Sequence, residues 1–373
     1  MKKVVRLLII SILVLACAIG LVACDNGSSK DEEPGIVCKK LSGDDFYTVT
    51  GYNYKDGETS LDISAAAKYK YGDDVVIGRI RKGAFDGNNT LVEVIVSDKA
   101  GDGVDVTIDE GAFKNMRALE KITLPFIGAN ANSDAYFNET ASSENKAVDK
   151  ERSFGYIFGE EESDYSSAMK FNYGDKDDAT ATFYIPVGLK EVTVNAENEI
   201  NIPMYAFSGA VRISTVNLSG NIKAIGVAAF KNMASLKQIN IPASVKVIYD
   251  SAFEGATALA SVKFETGSQL TAIKDSAFKG VIVKKMDISG TQVKTVGNYA
   301  FAGNTNLSAL TFGTSVKSIG AWVFADCNKL TALTYAGTQA QCNEIEGRVL
   351  GLEGSKITKI KCSDGDIDLT NVA

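Results

Sequence analysis

The chain is expected to fold as a mainly β solenoid of short parallel strands and brief helical turns, in coils of about 23 residues, and three periodic features carry that expectation. An apolar residue is followed five positions later by phenylalanine, as in Ile80 and Phe85, Ile108 and Phe113, Ile202 and Phe207, Ile225 and Phe230, Ile248 and Phe253, Ile273 and Phe278, Val296 and Phe301, and Ile319 and Phe324. From Phe207 onward these rings stand 23, 23, 25, 23 and 23 residues apart, and seven of the eight follow alanine. Each coil also opens on a leucine-like residue with apolar positions three and five further on, such as Leu236, Ile239 and Ile241, or Leu307, Leu310 and Phe312. The last two alternate with polar residues, which is strand spacing with one face buried. Four to six residues later comes an apolar pair three apart, as in Ile222 with Ile225 and Val245 with Ile248. The Ala-Phe step after it belongs on a tight turn or a single helical turn that delivers the ring to the coil interior.

Taken from the start, Lys2, Lys3 and Arg6 precede an apolar run that reaches Ala23, the pattern of an export signal over residues 1–23. It ends on Leu21-Val22-Ala23-Cys24, which resembles the lipobox of bacterial lipoproteins and makes Cys24 the expected lipidated amino terminus. Three acyl chains at roughly 0.8 kcal/mol per buried methylene would anchor the chain to the outer face of a membrane. Without residues 1–23 the chain has 36 basic against 46 acidic residues, a net charge of −10, which argues against nucleic acid and against a basic membrane patch. The lipid is then its hold on the membrane. Residues 24–35, polar and acidic and closed by Pro34-Gly35, are expected to be the lipidated cysteine and a flexible tether. Residues 36–74 hold strand-like pieces around Phe46 to Val49 and an irregular polar stretch, and should cover the first coil, whose stacking face would otherwise meet water.

The solenoid itself is expected over 75–336, interrupted by an acidic insertion at 129–182, with 337–373 as a C-terminal cap. A 23-residue coil cannot bury enough to fold alone, so many copies in series are required. Long insertions in solenoids leave from one face and are either binding elements or solvated loops.

The segment LKQINIPASVKVIYDSAF (236–253) resembles the BspA-type bacterial leucine-rich repeat, and the resemblance extends over roughly 75–336. LPFIGA (124–129) with FGYIFG (154–159) is similar to that family's enlarged repeat, and YAGTQAQCNEI (335–345) with KCSDGDIDL (361–369) to its end piece, with Cys342 where tryptophan often stands. The resemblance implies a right-handed leucine-rich-repeat solenoid, secreted or surface-attached. Some members are linked to adhesion, and most have no assigned activity.

Chemistry is sparse. The chain has no histidine, which removes Ser-His and Cys-His nucleophile pairs, imidazole bases and the commonest transition-metal ligand. No phosphate-cradling loop, Cys-x-x-Cys pair or complete calcium loop is present, so no cofactor and no catalytic residue is expected. Glu160, Glu161, Glu162 and Asp164, or Asp175, Asp177 and Asp178, could offer oxygens to calcium, but neither group has EF-hand spacing, and charge runs are usually solvated. Nothing fixes their separation as a glycosidase requires. Cys38, Cys327, Cys342 and Cys362 allow three pairings; Cys327 reads as a core residue, and Cys342 with Cys362 is the pair worth entertaining. Trp322 reads as packing at the last full coil rather than a sugar platform.

Two outward strand columns follow from the spacing: Thr215, Gln238, Ser261, Lys285, Ala309 and Ala332, and beside it Asn217, Asn240, Lys263, Asp287, Thr311 and Thr334. They lack the aromatic and arginine anchors of tight interfaces. The sequence therefore points to a monomeric, non-catalytic scaffold for an extracellular protein or glycan. The alternatives are an assembly protein of the cell envelope and a lipoprotein that captures solute or glycan through the insertion.

Overall fold

The computed structural model describes residues 33–97, 105–131, 150–172 and 180–370. The export signal, Cys24, the tether up to residue 32, and Asp175, Asp177 and Asp178 lie outside the described residues. The chain winds into about ten turns, about 24 residues apart, of stacked parallel strands.

Each coil contributes one strand to a front sheet. Seven run in order from Ser60–Asp62 through Glu93–Ile95, Lys121–Leu124, Glu191–Val194, Thr215–Leu218 and Gln238–Ile241 to Ser261–Phe264. A second block continues with Lys285–Asp287, Ala309–Phe312, Ala332–Tyr335 and Lys359–Cys362, closed by the antiparallel Gly365–Asp368. Register is one coil per step, with Thr215 beside Gln238 and Gln238 beside Ser261. Of the inward residues of these strands, Ile239, Met286, Leu310 and Leu333 are buried, at most 2% exposed.

The apolar pair that the sequence places on the way to the turn forms a second parallel sheet. Its main block is Ile200–Ile202, Ile222–Ile225, Val247–Ile248, Ala272–Ile273, Thr295–Val296 and Ser318–Ile319. Two residues per strand leave almost no alternation to read, so this sheet is invisible to a period-2 search.

The Ala-Phe step is a tight turn rather than a helical one, and it forms a third seam of hydrogen bonds. The N–H of Phe207 donates to Ala229 O (2.7 Å), that of Phe230 to Ala252 O (2.7 Å), and the series continues through Phe253, Phe278 and Phe301. The residue two before each ring has positive φ: Tyr205 (55°), Ala228 (52°), Ser251 (54°), Ser276 (55°), Tyr299 (54°) and Trp322 (59°). The residue two after it is also left-handed, and there it is glycine, asparagine or aspartate, as in Gly209, Asn232, Gly255 and Asp326. A left-handed residue other than glycine costs about 1–2 kcal/mol. The seam offsets that cost, because the N–H of each such residue is aimed at the next coil, as from Ala228 to Asp250 O (2.9 Å) and from Asn232 to Glu254 O (2.9 Å).

Inside this frame the phenylalanines form one column. Ring centroids are 5.3 Å apart for Phe207 and Phe230, 5.0 Å for Phe230 and Phe253, and 5.1 Å for Phe253 and Phe278, with planes within 8° of parallel. Phe301 and Phe324 extend the column at 6.1 Å. All these rings are buried.

The insertion does not interrupt the solenoid as the sequence reading expects. On the front sheet Lys121–Leu124 pairs directly with Glu191–Val194. At the turn, Ile157 and Phe158 stand where Ala-Phe would, accepting from the N–H of Phe113 at Ile157 O (2.9 Å), while Phe154 N–H donates to Ala206 O (2.8 Å). Phe158 and Phe154 carry the ring column from Phe113 to Phe207 with centroid steps of 6.5, 5.3 and 5.0 Å. On the second face Ala129 relays the ladder, accepting from Ile108 N–H and donating to Glu151 O. The described remainder of the insertion is an antiparallel hairpin, Ser166–Asn172 with Thr180–Pro186, which buries Met169, Phe183 and Ile185.

Both caps hold more structure than the sequence reading assigned them. Residues 36–74 contain strands Gly35–Lys40 and Tyr47–Asn53 and, in the stretch read as irregular, a helix over Ile63–Tyr71. Its signals are local: the Asp62 carboxylate caps the Ala65 N–H at 3.0 Å, three alanines follow, and Gly72 ends it. Tyr52 lies on Phe85 at 6.1 Å and tops the ring column. The C-terminal cap adds helices Gln339–Asn343 and Arg348–Leu352, the latter held close to the last coil by Gly351, whose Cβ would meet the Ile319 side chain at 2.6 Å.

Replacing Phe253 in mid-column by alanine should cost about 3–5 kcal/mol, and replacement by leucine less, read as the shift in a chemical denaturation midpoint. A second pair of substitutions isolates the docking of the hairpin. Gly87 and Gly209 share φ of +75°, but a Cβ at Gly87 meets nothing while one at Gly209 lies 2.2 Å from the Lys170 carbonyl oxygen. Gly87→Ala should cost about 1–2 kcal/mol. Gly209→Ala should cost clearly more and expose the 160–186 segment to limited proteolysis.

Candidate interaction surface

The front sheet sets its outward residues in the two columns that the spacing implies. Asn240 sits beside Lys263, Asp287 beside Thr311, and Thr311 beside Thr334. The columns also extend further than the sequence reading took them, back to Lys121 and Thr123 and forward to Lys359 and Lys361. Many of their polar groups satisfy one another. Asn217 Nδ2 donates to Glu191 Oε1 (3.1 Å) and Thr193 Oγ1 (3.2 Å), Lys121 approaches Glu191 at 3.8 Å, and Asp287 accepts from the Ser289 N–H at 2.9 Å. The result is a long polar wall built from two in-register columns.

Two of the carboxylates that could have served a cation, Glu160 and Glu161, are held by lysines instead. Glu160 pairs with Lys150 at 2.9 Å, and Lys150 also lies 3.7 Å from Glu110. Glu161 bonds Lys114, and that hydrogen bond holds its carboxyl below the usual carboxylate range. Among the described residues no three Cys, Asp or Glu side chains gather as metal ligands. No helix among them is long and apolar enough to cross a membrane. Two open cavities lie at the ends of the molecule. One of about 570 Å³ adjoins Glu33, Lys55 and Lys70, and one of about 330 Å³ adjoins Val349, Leu352 and Ile367.

Cys327 is a core residue, fully buried, with its Sγ donating to Phe301 O at 3.0 Å and burial pushing the thiol up to about 11. Cys342 and Cys362 come together in the C-terminal cap as hydrogen-bonded free thiols, both raised first by burial, Cys362 to about 11. Cys38 is buried at the opposite end. Trp322 occupies the left-handed turn position of its coil, and its ring packs on the cap at Gly354, where an added Cβ would lie 3.0 Å from the indole. About two-fifths of the side chain remains exposed, consistent with packing rather than a flat platform.

The sequence matches the family model of the BspA type leucine rich repeat region in six copies, over residues 75–154, 179–304 and 228–349. The chain belongs to this family, whose repeat-built members serve as interaction scaffolds. Solved structures similar to it include a leucine-rich repeat protein from Bacteroides ovatus, 20% identical, covering 88% of this chain and 76% of that one with a TM-score of 0.42. One from Eubacterium ventriosum is 18% identical, covering 90% and 98% with a TM-score of 0.37. A leucine rich cell surface protein from Faecalibacterium prausnitzii is 18% identical, covering 85% and 98% with a TM-score of 0.30. No curated protein matches the chain.

Non-reducing peptide mapping after air oxidation should find Cys342 joined to Cys362 and never to Cys38 or Cys327. In the reduced native protein at pH 8, below the raised thiol values, alkylation should be slow throughout. Of the four described thiols Cys362, the one not fully buried, should react first, and Cys327 only after unfolding.

Proposed function

We propose that this chain is a lipid-anchored recognition scaffold on the outer face of a bacterial membrane, held through Cys24 and binding an extracellular protein or glycan without catalysis. The observation that carries the reading is the front face, whose seven-stranded block crosses the insertion by pairing Lys121–Leu124 directly with Glu191–Val194 and which offers in-register polar columns. Such a surface suits modest contacts repeated along a wall, strengthened when many anchored copies engage together. The absence of histidine and the lysine pairing of Glu160 and Glu161 support a non-catalytic role. The surplus of acidic residues supports contact with the membrane through lipid alone, and none with nucleic acid. The chain acts as a monomer in this reading, with host or neighbouring cells as the source of its partner.

Fluorescently labelled full-length protein should bind saturably to at least one of a set of matrix proteins, mucin and intact bacterial surfaces. Uniform absence of saturation would defeat the proposal, and crosslinking on producing cells that recovers only envelope proteins would replace it with an assembly role. Globomycin-type inhibition of lipoprotein processing, or Cys24→Ala, should release the protein from the membrane fraction.

A further inference from the structure

The second sheet carries a charge pattern unlike any other column of the solenoid. At the start of its strands, Lys223, Lys246, Thr271, Lys294 and Lys317 follow one another in strict register, Lys223 inside its strand and the others one residue ahead of theirs. The N–H of Lys246 donates to Lys223 O, Thr271 to Lys246 O, Lys294 to Thr271 O and Lys317 to Lys294 O, each at 2.8 Å. Neighbouring strands lie about 4.8 Å apart, so the five positions form a straight row about 19 Å long. Lys246, Lys294 and Lys317 are exposed. Among the described residues no acid pairs with these three, and Lys223 shares Glu199 at 2.7 Å.

Like charges directly opposite one another across a ladder are destabilising. Other columns of this chain avoid them by alternation: Glu254 stands between Lys231 (2.8 Å) and Lys279 (3.3 Å), and Lys114 between Asp86 and Glu161. The nearest carboxylates on the turn side do not relieve the lysine row. Asp250 and Asp275 accept backbone N–H groups of the next coil, at 3.0 and 2.7 Å. A stacked protein that solves this problem elsewhere leaves Lys246, Lys294 and Lys317 without an ion-pair partner in this line, while Lys223 is held by Glu199, whose charge also acts on Lys246.

We propose that this row is a docking strip for a linear polyanion, an anionic polysaccharide laid along the stacking axis with carboxylate or sulfate groups facing the lysines. The strip rests on the reading of the chain as a recognition scaffold and narrows its partner to a chemical class. The shape of the charge selects that class. A bilayer presents a plane and duplex nucleic acid a broad cylinder with a charge every ~1.7 Å, whereas this strip is one side chain wide on a protein with net charge −7. The adjoining column, Ala224, Val247, Ala272, Thr295 and Ser318, holds no side chain larger than valine and no charge, so an extended chain can approach the row. Thr271 is the one uncharged position, and its hydroxyl is engaged with Lys246 O at 3.0 Å.

The test uses the full-length chain in phosphatidylcholine nanodiscs and immobilised dextran sulfate, with neutral dextran as reference, across a salt series. Binding should saturate and weaken steeply with salt. K246Q/K294Q/K317Q should weaken it at least about tenfold, while K68Q/K329Q/K356Q, equal in charge but outside the row, should not. T271K should tighten it several-fold, and the thermal midpoint of each variant confirms folding. Absence of saturable binding, equal loss in both triple variants, or tighter binding to phosphatidylserine vesicles or single-stranded DNA would overturn the strip. If the protein still binds matrix proteins or mucin in that case, the strip alone is wrong; if it binds nothing, the recognition reading falls with it.

Discussion

Everything in this molecule depends on hydrogen bonds between successive coils staying in register around the whole circumference. Three seams do this: the front strands, the short second-face strands, and the left-handed turn around each phenylalanine. Register at the seams puts each ring on the next at about 5–6 Å, and the stacked rings in turn fill the space that would otherwise let the seams slip. Neither holds alone, because a single coil buries too little to offset its ordering entropy. Stability is therefore shared between neighbours, and damage at one level weakens the layers beside it first.

This explains which parts of the structure could be read from the sequence. The ring column is legible because alanine and phenylalanine sit at a fixed distance from an apolar strand residue, and burial enforces that spacing. The relay through Phe154 and Phe158 is less legible. Its two rings come from a single 3-10 turn, Phe154–Phe158, without the Ala-Phe step, and only the resemblance of FGYIFG to an enlarged repeat pointed there. The cap helix Ile63–Tyr71 had an aspartate cap, an alanine run and a terminating glycine, but its weak apolar periodicity left it looking like polar loop. The second sheet was hidden by strands too short to show a period, and with it the lysine column that those strands align.

Register also governs the surface. Any residue placed at one outward position is repeated every coil at a strand spacing, so the solenoid turns single choices into lines. On the front face the choices mix threonine, asparagine and serine with a few lysines and acids, and several of them bond to one another, as Asn217 does to Glu191 and Thr193. At Lys231, Glu254 and Lys279 the choice alternates in sign, and the row is neutralised internally. Where the sign does not alternate, the field of each lysine adds to that of the next over a distance comparable to the Debye length, about 8 Å at physiological salt. A line of such charge attracts an extended anion far better than a compact one, because only an extended chain can meet every position at once.

A stack with open ends must also avoid adding further layers, since each terminal strand is a template for another chain. The two sheets meet this requirement differently. The second sheet ends at Ile319, whose N–H donates to Glu346 O, with helix Arg348–Leu352 laid across the last coil. The front sheet ends at Gly365–Asp368, a reversed four-residue strand carrying Asp366 and Asp368, with Asp364 just before it. Reversal breaks the parallel register that a further coil would need, and the carboxylates repel the same edge of another copy. At the other end, Ile63–Tyr71 follows directly on the first front strand, and the outermost strand of the neighbouring sheet, Gly35–Lys40, is likewise antiparallel and finishes in two lysines. At the C-terminal end of the front sheet and at the outermost strand of the N-terminal cap, parallel in-register pairing thus gives way to antiparallel pairing.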